Sequence, residues 1–204
     1  MLHARRMAGL LGLLALCAGA TACQADSVGR APLELIELYD MAAENGGIEI
    51  ELTRDGRIVE LEADVPISSL PRVVKEAAMA RLPGAKITGA ERELQVRGRF
   101  WEVKLVHQKR EWELIVDDAG VIHETERELA QAETPRIVLT TAERLVPDST
   151  FKSVEIIEYA DGTSEYHVKR TRNGASYKLV LTPAGDVIRK VREHRAEIEI
   201  PLAD

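Results

Sequence analysis

Cysteine is almost absent from this chain, which has two among its 204 residues, Cys17 and Cys23. Both lie within the first 23 residues, so no intrachain disulfide can cross-link the remainder of the chain. We therefore expect the fold to be held together by its apolar core alone.

Basic residues are also in deficit, with 27 lysines and arginines against 34 aspartates and glutamates, a net charge of -7. Removal of residues 1–22 takes Arg5 and Arg6 and no acid, which leaves 25 basic against 34 acidic residues, a net charge of -9. Such a charge repels phosphate backbones and anionic lipid headgroups. The composition therefore excludes a nucleic-acid partner.

The usual catalytic and metal-binding motifs are missing. His107, His123, His167 and His194 are isolated in sequence, and there is no G-x-S-x-G elbow and no D-x-D-x-D-G calcium loop. We predict a chain that is not an enzyme and has no catalytic residue, metal ligand or cofactor. Because acidic residues are many, a metal-binding protein or an enzyme is kept as an alternative.

A long apolar run is missing as well, since Met7 to Ala18 is shorter than the roughly twenty residues of a membrane-spanning helix. Arg5 and Arg6 precede this run and Ala20-Thr21-Ala22 follows it, a pattern that predicts an export signal over residues 1–22. The next residue, Cys23, occupies the position that is acylated in bacterial lipoproteins. An unpaired thiol in an oxidising compartment favours acylation there, with ordinary signal cleavage after Ala22 as the alternative. We expect a periplasmic or outer-membrane lipoprotein, attached to the membrane through a lipid anchor on Cys23.

A segment of about 65 residues occurs twice, over residues 65–130 and 131–204. The stretch from Arg81 to Ile87 aligns with Leu145 to Phe151, and Trp112 to Val116 aligns with Tyr177 to Leu181. Self-similarity at a fixed period indicates that one supersecondary unit is used twice. A polar tether over residues 23–32 and a partial unit over 33–64, a short helix plus a hairpin, precede the two copies.

Each copy begins with an apolar stripe at helical spacing and continues with alternating strands. Ser68-Ser69 and Thr134 are predicted to cap the two helices. In the first copy Val103, Leu105 and Leu114 belong to the strand face that packs on the helix. The predicted fold class is α+β, a tandem repeat of a helix packed on an antiparallel sheet, with the two units sharing a sheet or packing together.

The helix end Leu82-Pro83-Gly84-Ala85-Lys86-Ile87 and the closing Asp118-Ala119-Gly120-Val121-Ile122 resemble the PepSY-like domains of bacterial envelope proteins. Their fold is akin to the tandem repeat of the β-lactamase inhibitory protein. The resemblance covers residues 65–195, although Asp148-Ser149-Thr150-Phe151 replaces the Gly-Ala-Lys-Ile of the first copy. It implies a non-enzymatic exported module that binds another envelope protein and restrains or inhibits a peptidase-like partner.

The sheet face turned away from the helices is the predicted partner-binding surface. An ordinary wet sheet face is the alternative interpretation. Phe100 with Val106 and Ile115 is expected to form an exposed apolar patch on it. A structural or assembly factor, whose sheet edge pairs with another chain, is the alternative function. The partner-binding candidates are Phe100, Glu102, Lys104, Glu111, Glu113, His167, Lys169 and Lys178.

Overall fold

The structure is a computed structural model that describes residues 48–194. The predicted signal, Cys23, the tether and the predicted helix of the partial unit lie outside the described residues. Between residues 48 and 194 no helix has the length and apolar character needed to cross a membrane. The strands are β1 Ile48–Leu52, β2 Ile58–Asp64, β3 Lys86–Gln95, β4 Gly98–His107, β5 Arg110–Val116, β6 Ile122–Glu128, β7 Thr150–Tyr159, β8 Ser164–Arg172, β9 Ala175–Leu181 and β10 Val187–Glu193, and the α-helices are α1 Arg72–Arg81 and α2 Arg136–Leu145.

All ten strands form one antiparallel sheet whose spatial order is the order of the chain, from β1 to β10. Most strands are joined by tight turns, which suit antiparallel neighbours. The β1–β2 turn shows why: Gly56 has φ +85°, and its N–H donates to the carbonyl of Thr53 at 2.9 Å. Helix α1 lies between β2 and β3 in the chain, and α2 lies between β6 and β7.

The predicted fold class is wrong, because this is a sheet-dominated fold and not a tandem repeat of helix-on-sheet units. Strand β6 pairs with β7, Glu124 opposite Tyr159 and Glu128 opposite Glu155, so the sheet runs on across the predicted boundary at residue 130. Strand β2 pairs with β3 in the same way and brings the first hairpin into the sheet. Two helices of ten residues each are small beside ten hydrogen-bonded strands.

One face of the sheet carries the apolar core beneath the two helices. Under α1, the fully buried Val74 packs with Val103 and Leu114. Under α2, Val138 packs with Leu179, and both are fully buried. Burial of each such side chain stabilises the fold by roughly 1.5–3 kcal/mol. The period-two alternation predicted this face correctly, because successive side chains of a strand point to opposite sides.

The helices begin differently from the sequence prediction. Pro71 and Pro135 occupy the positions just before α1 and α2, and neither helix start has a side-chain cap. Ser69 ends a 3₁₀ turn, and the hydroxyl of Thr134 donates to the carbonyl of Ala130 at 3.3 Å. Proline fixes φ near the value that the first turn needs, so the ring orients the chain at these helix starts in place of a polar side chain.

Two hairpin turns lie against the first turns of the helices. Gly120, in the β5–β6 turn, has φ +84°, and a Cβ atom built on it lies 2.8 Å from Cγ2 of Val73 in α1. Gly185, in the β9–β10 turn, has φ +85°, and its Cβ lies 2.7 Å from Cγ1 of Ile137 in α2. Glycine is therefore required at both positions for backbone conformation and for space.

Candidate functional site

The sheet face opposite the helices curves into a trough with a volume of about 490 Å³. Residues from all ten strands line it, and eleven of them are glutamates against four lysines and arginines. We call this surface the glutamate trough. Its charged lining is Glu49, Glu51, Glu60, Glu62, Glu93, Arg97, Glu102, Glu113, Glu124, Glu126, Glu155, Glu165, Lys169, Lys178 and Arg189, with His167 beside them.

Alternation within the strands places these carboxylates on one face. Glu60 and Glu62 are two positions apart on β2, as are Glu124 and Glu126 on β6, so each pair projects to the same side. Leu61, between the first pair, is fully buried on the opposite side. The same period that builds the core beneath the helices therefore builds the trough.

Ion pairs between the two ends of the sheet mark its curvature. Glu51 on β1 forms an ion pair with Arg189 on β10 and lies 4.0 Å from Nζ of Lys178 on β9. In chain order these strands are the most distant in the sheet, so the contact requires the sheet to curl strongly. The curl partly encloses side chains that a flat sheet would leave in water.

Enclosure keeps protons on several of these carboxyl groups. Burial, and then the charge of Glu60, raises the pKa of Glu62 to about 8. Burial, and then the charge of Glu113, raises the pKa of Glu126 to about 8. Burial also raises the pKa of Glu93, with Glu60 beside it as the next cause. Near neutral pH these three groups are largely uncharged, because desolvation and like charges both disfavour the carboxylate.

Lysines neutralise only parts of the trough and its rim. Lys104 forms an ion pair with Glu91 and lies 3.5 Å from Glu102. Lys169 lies 3.9 Å from Glu155. Each pair offsets one negative charge locally, and the glutamates still outnumber the cations of the lining.

A histidine and a tyrosine fix the position of Glu165 on the β7–β8 side of the trough. Nε2 of His167 lies 2.8 Å from a carboxylate oxygen of Glu165, and the Tyr159 hydroxyl donates to the same oxygen at 2.8 Å. These hydrogen bonds lower the pKa of Glu165 although its burial acts in the opposite direction. Glu165 is therefore a fixed anion, in contrast to the protonated glutamates deeper in the trough.

Three groups of side chains have the spacing of metal ligands, with ligand atoms within 4.8 Å of one another. Two of the three contain a member of the predicted partner-binding surface, His167 in one and Glu102 in another. Lys169 and Lys104 already lie beside acids of those two groups. The groups are Glu126 with Glu155 and His167, Glu60 with Glu62 and Glu93, and Glu62 with Glu91 and Glu102.

The structure brings five of the eight predicted partner-binding residues together in the trough: Glu102, Glu113, His167, Lys169 and Lys178. Their role in binding a partner stays a prediction. The other three do not line it: Glu111 is exposed at the start of β5, Lys104 pairs with Glu91 at the rim, and Phe100 is buried.

The expected apolar patch on this face is wrong. Phe100 and Ile115 are only 5% and 3% exposed, and Val106 is exposed without them. The guanidinium of Arg97 lies 4.8 Å from the centre of the Phe100 ring, and the His123 ring packs against it edge-on at 5.1 Å. The curl of the sheet and these two neighbours cover the ring.

Sequence reasoning missed most of the trough. It selected residues only from β4, β5, β8 and β9, whereas β2, β3, β6 and β7 supply six further carboxylates. The available signal was glutamate at every second position in several strands. The missed side chains that line the trough include Glu60, Glu62, Glu93, Glu124, Glu126, Glu155 and Glu165, together with Arg97 and Arg189.

No protein-family model matches the chain, and no curated protein matches it in sequence. Solved structures do resemble it. A DUF2874 family protein from Bacteroides uniformis has a TM-score of 0.50 and 15% identity, over 60% of this chain and 89% of that protein. A candidate periplasmic protein from Bacteroides eggerthii has a TM-score of 0.51 and 14% identity, over 60% of this chain and 88% of its own.

A BLIP-like protein from Bacteroides fragilis is 21% identical over 64% of this chain and 93% of that protein, with a TM-score of 0.49. A TM-score below 0.5 does not establish a shared fold. The PepSY-like assignment stays a prediction. At identities this low the first two likenesses concern the fold alone, so the chain is similar in fold to a DUF2874 family protein and to a candidate periplasmic protein of Bacteroides.

Proposed function

We propose that this chain is an exported, non-enzymatic binding module whose glutamate trough holds lysine or arginine side chains of a partner protein. The observation that carries the proposal is the composition of the lining, eleven glutamates against four lysines and arginines. Complementary charge attracts a partner and suppresses partners of the wrong sign. A basic segment of an envelope protein has that complementary charge.

The size of the trough favours side chains over a whole domain. Its volume of about 490 Å³ falls within the roughly 300–1,000 Å³ of sites that enclose a ligand. A folded partner domain that contacts only the rim of the trough would leave this space unfilled. An exposed segment that inserts its long cationic side chains fills it.

Binding of a cation to this trough releases protons. Because the pKa of Glu126 is about 8, its carboxyl group is largely protonated at pH 7 and must ionise to pair with an ammonium group. Affinity for a cationic segment therefore rises with pH over the range in which lysine keeps its own charge. This distinguishes the trough from an acidic surface patch, whose carboxylates are already ionised at pH 7.

Isothermal titration with a capped tetralysine peptide, in chelator-containing buffer at pH 6.5 and 8.5, tests the proposal. We expect saturable binding that is tighter at pH 8.5, and at least about tenfold weaker binding by a variant with Glu113→Gln and Glu126→Gln. Tetraglutamate should not bind. Glu143→Gln, an exposed glutamate on α2, is the matched control and should leave affinity unchanged.

Three results would contradict the proposal. Tetralysine that binds wild type and the double variant equally locates the interaction elsewhere. Absence of saturable binding at either pH removes the trough as a cation site. If spermidine binds tightly and tetralysine does not bind, the ligand is a small polyamine and not a protein segment.

We also propose that the module is held at the membrane through Cys23. The export pattern over residues 1–22 and the name of the Bacteroides eggerthii neighbour support an envelope location. Replacing Cys23 by serine removes the thiol to be acylated and should move the protein from the membrane to the soluble envelope fraction on cell fractionation. Equal membrane recovery of Cys23→Ser and wild type would contradict a lipid anchor. Restraint of a peptidase-like partner stays a prediction of the resemblance.

Charge on the last strand disfavours the alternative of an assembly factor that pairs through its sheet edge. β10 carries Arg189, Lys190, Arg192 and Glu193, and six of its seven residues are exposed. Charged, especially basic, side chains on an edge strand oppose pairing with another chain. The trough is therefore the better binding surface.

A further inference from the structure

Three carboxylates converge at the β2–β3 side of the glutamate trough. Glu60 and Glu62 of β2 and Glu93 of β3 each present an oxygen, and the three oxygens lie within 4.8 Å of one another. In the strand register Glu62 is directly opposite Glu93, and Glu49 of β1 is directly opposite Glu62. Like charges in directly opposed positions destabilise a sheet, so these glutamates stay together only while they keep their protons or face a positive charge.

The Glu93 side chain supplies a second, independent observation. It is 2% exposed, and its Oε2 is buried without a hydrogen-bond partner. Its Oε1 accepts a hydrogen bond from Nε2 of Gln95, which also donates to Glu60 at 2.6 Å. A buried acceptor left unsatisfied is rare in folded proteins and calls for a ligand or a structural explanation.

No lysine or arginine between residues 48 and 194 forms an ion pair with Glu60, Glu62 or Glu93. The neighbouring acids do have a cation beside them, because Lys104 forms an ion pair with Glu91 and lies near Glu102. Arg97, in the turn between β3 and β4, donates to Gln95 and Glu124 instead. Lys178 acts on Glu62 through space and lowers its pKa without forming an ion pair with it. The described side chains therefore give this group of three no directly paired cation.

We propose that Glu60, Glu62 and Glu93 bind one divalent cation, with Ca²⁺ preferred. Carboxylate oxygens are the ligands of hard cations, and Ca²⁺ takes them at about 2.3–2.6 Å in flexible geometry. The three oxygens lie within 4.8 Å of one another, so one ion at about 2.4 Å from each can reach all three. Mg²⁺ gives up its water reluctantly and usually keeps several water ligands, so a site made of protein carboxylates favours Ca²⁺.

An ion suits this position better than a side chain of a partner. Glu93 is almost fully enclosed, and a free ion reaches it without the aliphatic stem of a lysine. The three carboxylates lie in the same trough as the peptide site proposed above, but the peptide test changes Glu113 and Glu126 whereas the ion test changes Glu93. Either proposal can therefore fail while the other holds.

Titration of CaCl₂ into the purified, chelator-treated protein by isothermal calorimetry tests the proposal. We expect one saturable site, with a dissociation constant on the order of 10⁻⁴–10⁻³ M or tighter, as in extracellular calcium modules. Glu93→Gln should weaken Ca²⁺ binding at least about tenfold, since it removes a charged ligand. Glu143→Gln, the same change on the exposed side of α2, should leave it within about twofold.

Thermal unfolding gives a second readout. Ca²⁺ should raise the Tm of wild type and of Glu143→Gln, and should leave the Tm of Glu93→Gln unchanged, because only a ligand bound to the folded state stabilises it. If Glu93→Gln does not fold, Glu60→Gln takes its place. Absence of saturable Ca²⁺ binding, several weak sites of equal strength, or full affinity in Glu93→Gln overturns the proposal. Equal or tighter binding of MgCl₂ overturns the assignment to calcium.

Discussion

Between pH 5 and pH 8 we expect the free energy of unfolding to fall as pH rises, in buffer that contains a chelator. The folded state raises the pKa of Glu126 from 4.5 to about 8, so between these values the native protein binds a proton that the unfolded chain does not. Stability then falls with a slope of up to about 1.4 kcal/mol per pH unit for each such group. The charged and titratable groups around Glu126 are Glu62, Glu113, Glu155, Tyr159, His167 and Lys178.

Glu126→Gln isolates the contribution of this residue, because glutamine imitates the protonated carboxyl. The variant should match wild type at pH 5 and be more stable at pH 8, by about 1–3 kcal/mol after allowance for partial access of water. Urea unfolding at pH 5, 6, 7 and 8 measures both curves. Glu143→Gln on α2 should follow wild type at every pH. A Glu126→Gln curve parallel to wild type would show that Glu126 is already ionised in the folded protein.

Replacement of Gly120 by alanine should lower the free energy of unfolding by about 2–4 kcal/mol. The left-handed backbone at φ +84° costs an alanine roughly 1–2 kcal/mol. The added Cβ also meets Cγ2 of Val73 at 2.8 Å, and overpacking of this kind typically costs about 1–3 kcal/mol. Urea denaturation at constant pH measures the change.

Gly162 provides the matched control, since it has φ +85° in the β7–β8 turn and no atom within 4 Å of its Cβ position. Gly162→Ala should show only the backbone cost of roughly 1–2 kcal/mol. Adding Val73→Ala to Gly120→Ala should recover part of the difference, which a double-mutant cycle detects. Equal losses in Gly120→Ala and Gly162→Ala would mean that the turn does not press on α1.

The core was predictable because its signal is local. In β4 the alternation of Val103 and Leu105 with charged residues puts both on one face, and they are 0% and 1% exposed. The stripe containing Val74 and Ala78 likewise predicted the buried side of α1. These periods follow from the backbone geometry of a single helix or strand, so they can be recognised within a short stretch of sequence.

The continuous sheet and its curl were not predictable in the same way. Alternation predicts which face of the sheet a residue occupies, but it does not predict which strand lies beside it. No local sequence pattern therefore predicted that Glu128 lies opposite Glu155. Curvature then decides burial on the second face. A flat sheet with one wet face leaves Phe100 and Glu102 exposed, whereas here they are 5% and 8% exposed.

The chain-ordered sheet has a consequence for how the protein assembles. Each strand pairs with its neighbours in sequence, through a turn or a single helix, so every pairing closes a short loop at small entropic cost. The ion pair of Glu51 with Arg189 is different, because it spans 138 positions. Early closure of this contact would cost the entropy of a 138-residue loop, so we expect the intervening strands to pair first and the trough to close last. A ligand held between the two ends of the sheet then stabilises the finished fold.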